Sequence, residues 1–300
     1  MRWYCDRRRS FSAAQAASAP IIATSEMMSD PKTPQILVVC TFRNAEQTLR
    51  DTLTSLSEQV AEFACVLIDD ASTDLSVSLA EATVGRDHRF RIVRNPQPGR
   101  VRALNFGLSL GDQSLVAILD ADDVAHPCWL EHLLRAAQNE PRFAVIGCAK
   151  SLFSDRERLK WCSAIGFSAP GTVRDATADL CRSNPIGHSG VVIRRGAIER
   201  VGGYEDKYES HDYDLWVRIA ESGGRIGKIE LPLVGKRIHD DQHFERRRHI
   251  RYVIGSMGVQ LRAIKALDPH FTSYLWLLAR LAWSIVPRAA RMAIRKRSME

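Results

Sequence analysis

Paired cysteine motifs are missing from this chain: its seven cysteines (Cys5, Cys40, Cys65, Cys128, Cys148, Cys162 and Cys181) include no Cys-x-x-Cys spacing. An odd, scattered set excludes a disulfide framework and a cysteine-built zinc site. Several lie inside apolar runs, as small core hydrophobes of a reducing compartment would. No Gly-x-Gly-x-x-Gly opens the first helix, which argues against a dinucleotide-dependent oxidoreductase. No glycine-rich basic phosphate loop follows the first strand either, since Thr41-Phe42-Arg43-Asn44-Ala45-Glu46 stands there. Long apolar runs are also lacking. The strongest, Leu275 to Val286, contains Arg280 and stops at Pro287, well short of the roughly twenty residues that span a bilayer. Zinc-finger and RNP-like patterns are absent, and the basic residues behind the net charge of +7 collect at two ends, around Arg7-Arg8-Arg9 and from Arg246 to Arg297. Nucleic acid is therefore not expected as a partner.

With 300 residues, 45% of them hydrophobic, the chain can fill one large core with a small appendage. Residues 1–33 are rich in Ala and Ser without sustained periodicity and read as a disordered leader. Arg7-Arg8-Arg9-Ser10-Phe11 has the outline of a twin-arginine export signal, but residues 12–23 are too polar for its apolar region. Met27 or Met28 is the expected start of translation.

From Ile36 onward apolar strands alternate with helical spacing. Ile36 to Cys40 suits a buried strand, and Leu49, Leu53, Leu56 and Val60 mark a helix. Phe63 to Ile68 is a second strand, with Ser72-Thr73-Asp74 offering caps for the next helix. Arg91 to Val93, a helix with Val101, Leu104 and Leu108, the strand Leu115 to Leu119, a helix from Trp129 to Gln138 and the strand Phe143 to Cys148 follow. Strand meets helix four times, so the expected fold is α/β with a Rossmann-like, mostly parallel central sheet flanked by helices. Ligands gather beyond the carboxyl ends of such strands. Residues 150–185 lack periodicity and are expected to shape an acceptor site. Val191 to Arg194, the helix Asp212 to Glu221 and the strand Ile229 to Val234 complete the domain, and no internal repeat is present.

Asp120-Ala121-Asp122-Asp123 crowds three carboxylates at the end of one of these strands. Close like charges raise one another's pKa unless a cation or donor relieves them, so the cluster predicts a divalent ion; a turn before a helix N-cap is the plain alternative. The other chemistry-bearing motifs come in a fixed order. They are Thr41-Phe42-Arg43-Asn44, Asp69-Asp70-Ala71-Ser72-Thr73-Asp74, Gly99 with Asn105, the acidic cluster, Gly202-Gly203-Tyr204, His211-Asp212-Tyr213-Asp214-Leu215-Trp216, and Arg237-Ile238-His239.

This ordered set resembles a family 2, GT-A-fold glycosyltransferase over residues 34–245, with 246–300 a helical basic C-terminal extension. The resemblance implies an inverting transfer of sugar from a nucleotide-diphosphate sugar to a hydroxyl of a glycan or lipid-linked acceptor, in building cell-surface polysaccharide or lipopolysaccharide. It implies that Thr41, Arg43 and Asp70 line the nucleotide pocket, with Gly99, Asn105, Asp120 and Gly203 completing the nucleotide-sugar site. Asp122 and His239 would hold Mg2+ or Mn2+, and Asp212 would be the general base. An aromatic often near Arg43 in the family is replaced by the pair Phe42-Arg43, which leaves the base open. His211-Asp212 replaces the commoner Glu-Asp or Asp-Asp and keeps the base itself. For Asp70, Asp212 and Asp214 an Asx turn or helix cap is the alternative, for Trp216 core packing, and for Gly202-Gly203 a simple tight turn. Asn184, Pro185, Gly187 and His188 are assigned to the acceptor side. A sugar nucleotidyltransferase or a non-catalytic nucleotide-binding module on the same fold are the competing readings.

Trp276, Trp283 and the arginines after Pro287 suit a helix at an anionic membrane surface, the alternative being a helix packed on the catalytic domain. The expected location is cytoplasmic, at the inner face of the plasma membrane.

Overall fold

The computed structural model describes residues 34–154, 159, 161, 172–238, 249–268 and 270–285. Its N-terminal half is the alternation read from the sequence: β1 (Ile36–Phe42), α1 (Leu49–Ser57), β2 (Ala64–Asp69), α2 (Ser76–Val84), β3 (Phe90–Arg94), α3 (Arg100–Ser109) and β4 (Leu115–Ile118). The chain continues through β5 (Val124–Ala125), α4 (Trp129–Asn139), β6 (Phe143–Phe153), β7 (Val173–Asp175), a 3-10 turn at Ala178–Cys181, β8 (Val191–Arg194) and α5 (Arg195–Arg200). It then forms α6 (His211–Glu221), β9 (Arg225–Arg237), α7 (His249–Leu267) and α8 (Phe271–Ile285).

All nine strands among the described residues join one sheet in the order β3-β2-β1-β4-β8-β6-β9-β5, with β7 also paired to β9. The first four run parallel. β8 is antiparallel to both β4 and β6, β6 and β9 are parallel, and β5 and β7 oppose β9. The sheet is thus parallel through its first half and mixed beyond β4.

Side-chain alternation along β1 sorts the core into two layers. Ile36, Val38, Cys40 and Phe42 pack with Leu49, Leu53 and Leu56 of α1 and Leu130 and Leu133 of α4. Leu37 and Val39 pack with Leu104 and Leu108 of α3, Trp216 and Ile219 of α6, and Val259 and Ile264 of α7. Because both faces are covered, β1 is buried almost throughout and reads as a continuous apolar run. Burying each such side chain contributes about 1.5–3 kcal/mol, which makes the sheet centre a rigid base for the loops at its carboxyl edge. Phe42 is 2% exposed in the first layer, so its ring is spent on packing. α7 shares the second layer through Val259, Ala263 and Ile264, and its core contacts make it part of the same packed body. The five cysteines among the described residues are buried free thiols; Cys5 and Cys162 lie outside the described residues.

Candidate active site

The loops after β1 and β2 are laced together. Asn44 N–H donates to Ser72 Oγ, Thr73 N–H to Asn44 Oδ1, Ala45 N–H to Ser76 Oγ, and Leu75 N–H to Glu46 Oε2. Asn44 and Ala71 adopt φ of 50° and 61°, the left-handed region that non-glycine residues seldom visit. Both sit where the chain leaves the sheet. Thr41, half-buried and in register with Ile68, and Arg43, exposed, lie at this edge. Asp70 is 6% exposed, and its Oδ1 accepts from the Asn95 side-chain amide and the Gly99 N–H, each at 2.7 Å. One carboxylate oxygen therefore anchors the loop that opens α3. Gly99, at φ 136°, makes a turn that a side chain would resist.

α3 presents Arg100 at its first turn, and Arg100 Nη2 donates to Asp120 Oδ1 at 2.6 Å. Asp120 also meets His188 Nδ1 at 3.1 Å, while His188 Nε2 lies 3.0 Å from the Tyr204 hydroxyl. The two ring nitrogens of His188 thus bridge the Asp120 carboxylate and the Tyr204 hydroxyl. Burial, followed by the Asp212 and Asp120 charges, pushes the Tyr204 hydroxyl far above its ordinary pKa, so it stays protonated. Burial works to raise the Asp120 carboxyl, yet Arg100 and then His188 hold it well below the usual carboxylate range. Tyr204 is fixed from behind by Asn105, whose amide donates to the Tyr204 carbonyl and accepts its N–H, both at 2.9 Å. Asn105 thus reaches the site through Tyr204. Gly202 and Gly203, at φ 79° and 78°, close the end of α5, with Gly203 N–H donating to the Ile198 carbonyl at 3.0 Å.

The acidic loop is held from two sides. Thr48, just before α1, and Thr52 of α1 donate to the carbonyls of Ala121 and Asp123 at 3.0 and 2.7 Å. At the end of β9, Arg237 donates through Nε to the Asp122 carbonyl and through its N–H to Asp123 Oδ1, and its Nη2 pairs with Asp51 at 2.6 Å. Lys150 Nζ stands 3.8 Å from Asp123 Oδ2. Burial, then the charges of Asp120 and Asp122, raise the Asp123 carboxyl to about 7 despite Lys150. Asp120, Asp122 and Asp123 each offer one oxygen within 4.8 Å of the others'. Hard oxygen donors that close, carrying surplus negative charge, fit a divalent cation. His239 lies outside the described residues; Arg237, two positions earlier in the chain, is the residue of that motif seen against the acidic loop.

Asp212 is the second residue of α6, at the helix's positive end. Its Oδ2 accepts from the Asn184 side-chain amide at 2.8 Å. His211 packs edge-on against His188 and Tyr204, with ring centroids 5.2 and 5.9 Å away. Burial and the adjacent His188 depress its pKa to about 4. Arg100 is close enough to Asp122 and Asp212, as well as Asp120, for all three to favour its charged form. The acidic loop and the start of α6 thus share one electrostatic site. Ser210, not Asp212 or Asp214, is the residue before the helix. Asp214 is fully buried and paired with Arg218 at 2.7 Å, while Trp216 is a core residue.

Arg100, Thr48, Thr52 and Asn95 were not singled out by sequence reasoning as parts of the site. Arg100 had a local signal, a cation at the start of a helix that follows a loop glycine. The threonines had none.

The sheet is of GT-A type, and its carboxyl edge gathers the carboxylates of Asp120, Asp122 and Asp123. The glycosyl transferase family 2 model matches residues 37–202. The chain belongs to glycosyl transferase family 2 and is a glycosyltransferase. It is 24% identical over 263 residues to the putative glycosyltransferase EpsE of Bacillus subtilis, covering 85% of this chain and 91% of EpsE. It is 26% identical over 197 residues to the Escherichia coli UDP-Gal:alpha-D-GlcNAc-diphosphoundecaprenol beta-1,3-galactosyltransferase, covering 65% of this chain and 70% of that protein. Its fold matches the mannosyltransferase PcManGT of Pyrobaculum calidifontis, solved with GDP-Man and Mn2+, at a TM-score of 0.61, with 20% identity over 96% of this chain and 85% of that one.

Proposed function

We propose that the chain is an inverting glycosyltransferase that moves a sugar from a nucleoside-diphosphate sugar to a hydroxyl of a glycan or lipid-linked acceptor, in the synthesis of cell-surface polysaccharide or lipopolysaccharide. The observation that carries this reading is the chain of contacts Arg100–Asp120–His188–Tyr204, which with the His188–His211 ring contact leads from the acidic loop to the residue beside Asp212. Donor and acceptor chemistry would then meet in one rigid frame.

In this reading Thr41, Arg43 and Asp70 receive the nucleoside, the Asp70 oxygen not used by Asn95 and Gly99 accepting from the base. The first turn of α3 beyond Gly99 faces the diphosphate, where helix N–H groups and Arg100 favour negative charge. Asp120 and Gly203, the latter braced through Asn105 and Tyr204, approach the sugar. Asp122 and His239 hold Mg2+ or Mn2+, which when bound neutralises the leaving diphosphate. Asp212 accepts the acceptor hydroxyl's proton as that oxygen attacks the anomeric carbon from the face opposite the diphosphate. The UDP-Gal and diphosphoundecaprenol in the E. coli relative's name, and the GDP-Man and Mn2+ bound to the mannosyltransferase, support these donor, acceptor and metal classes.

The test is a panel of UDP-, GDP-, TDP- and CDP-sugars with an undecaprenyl-diphosphate-linked sugar, Mn2+ present, product anomers read by NMR. One nucleotide class should turn over with inversion. Asp212→Asn should lower kcat by about 10²–10⁴ with donor affinity kept. Retention of configuration, or full turnover by Asp212→Asn, contradicts the proposal.

A further inference from the structure

α8 turns an uncharged, largely apolar face towards solvent. Its exposed residues, among those described, are Thr272, Leu275, Trp276, Leu278, Ala279, Leu281 and Ala282, without a charge among them. Leu275, Trp276 and Leu278 are 48%, 51% and 60% exposed. Its inward face carries Ser273 and Arg280 beside Tyr274 and Leu277, which pack on the second core layer. Arg280 reaches in to donate to Ser256 Oγ at 2.9 Å and Gln260 Oε1 at 3.3 Å, and Ser273 donates to Asp268 Oδ2 at 2.6 Å. A surface helix of a globular protein turns charged and polar residues outward instead. An apolar patch kept outward, while an arginine is tethered inward, marks a contact face.

The charge that follows in sequence identifies the occupant. From Val286 to Glu300 the chain carries Arg288, Arg291, Arg295, Lys296 and Arg297 against the single acid Glu300. An apolar helical face continued by a cationic stretch is complementary to anionic lipid headgroups over acyl chains, whereas a second copy of this chain would bring like charge to the same place. No helix among the described residues is long and apolar enough to cross a membrane. We infer that α8 lies flat in an anionic membrane surface with its Leu275–Trp276–Leu278 face in the headgroup boundary, the cationic sequence that follows adding attraction to the lipid phosphates. The face adjoins the segment that carries Asn184, because the Arg182 guanidinium stacks 5.3 Å from the Trp276 ring centre. Docking there would bring the acceptor side of the proposed reaction to the lipid surface.

The experiment is flotation of the full chain with vesicles of phosphatidylcholine alone or with phosphatidylglycerol, at low and high salt. The wild type should float with the anionic vesicles, release in salt, and leave the neutral ones. Leu275→Glu/Leu278→Glu, at exposed positions, should bind at least about tenfold more weakly with unchanged circular dichroism and nucleoside-diphosphate affinity. Each of Arg288→Gln, Arg291→Gln and Arg295→Gln should cost about fivefold. Asp212→Asn should float like the wild type, which separates this surface from the transfer chemistry. Wild type that stays in solution, equal flotation on neutral vesicles, or Leu275→Glu/Leu278→Glu floating as well as wild type overturns the inference. So does a wild-type dimer that fails to float and that Leu275→Glu/Leu278→Glu converts to monomer.

Discussion

The side-chain amide of Asn184 donates a 2.8 Å hydrogen bond to Oδ2 of Asp212, while its own Oδ1 is buried without a partner. An amide fixed in this way orients the carboxylate. Asn184→Ala frees the carboxylate to rotate, and misplacement of a reacting group by about 1 Å costs on the order of 100-fold. Steady-state kinetics with separate donor-binding measurements should show kcat lowered about 10- to 100-fold and donor Kd unchanged. A parallel loss of donor affinity would instead make Asn184 a scaffold of the donor site.

His211 makes the fold sensitive to acid. Its pKa, depressed by burial and by His188 to about 4 in the folded protein from an ordinary 6.5, means that the unfolded chain binds the proton first as pH falls. The neutral ring's contribution is fully present above about pH 6.5 and is lost progressively as pH drops towards 4. Chemical unfolding across that window should show the wild type losing up to about 3 kcal/mol relative to His211→Gln. Parallel stability curves for the two proteins would contradict this.

Gly107 lies where α3 packs tightly against the sheet. A Cβ there would stand 2.6 Å from Val39 Cγ1 and 3.4 Å from Ile68 Cγ1, both on strands that cannot retreat. Alanine gains about 1 kcal/mol of helix propensity over glycine, but overpacking costs about 1–3 kcal/mol. Gly107→Ala should therefore be destabilising by up to about 2 kcal/mol in urea denaturation, where an exposed helical glycine would show a gain.

Much of the fold was legible because its strands are short apolar runs bounded by turn residues. β1, β2 and β4 were read to within two residues of their ends. β5 and β7 were not, since two and three residues carry no periodicity and exist through pairing with β9. β9 is longer than its apolar stretch suggested. Pro232, which has no N–H to give the ladder, sits opposite Ala149 at a register shift, and the pairing resumes beyond it. α5 is a six-residue helix with two apolar side chains in the core, too short to announce itself.

In the site, Asp120, Asp122 and Asp123 were legible because they adjoin one another. The partners that orient them were not. Arg100–Asp120, Thr52–Asp123 and Asn184–Asp212 join residues 20, 71 and 28 positions apart, and no local spacing encodes a contact that the sheet order creates. Phe42 shows the converse: it stands beside Arg43 in the motif, yet it is a core residue in the fold.

The most direct test of the account is calorimetric binding of UDP, GDP, TDP and CDP, with Mn2+ and with EDTA, to wild type and to Asp122→Ala. One diphosphate should bind in Mn2+, weaken at least about tenfold in EDTA, and show the same loss in Asp122→Ala whether or not metal is present. Folded protein that binds none of the four, or binding that neither EDTA nor Asp122→Ala affects, would contradict the assignment of the acidic loop as the metal and diphosphate site.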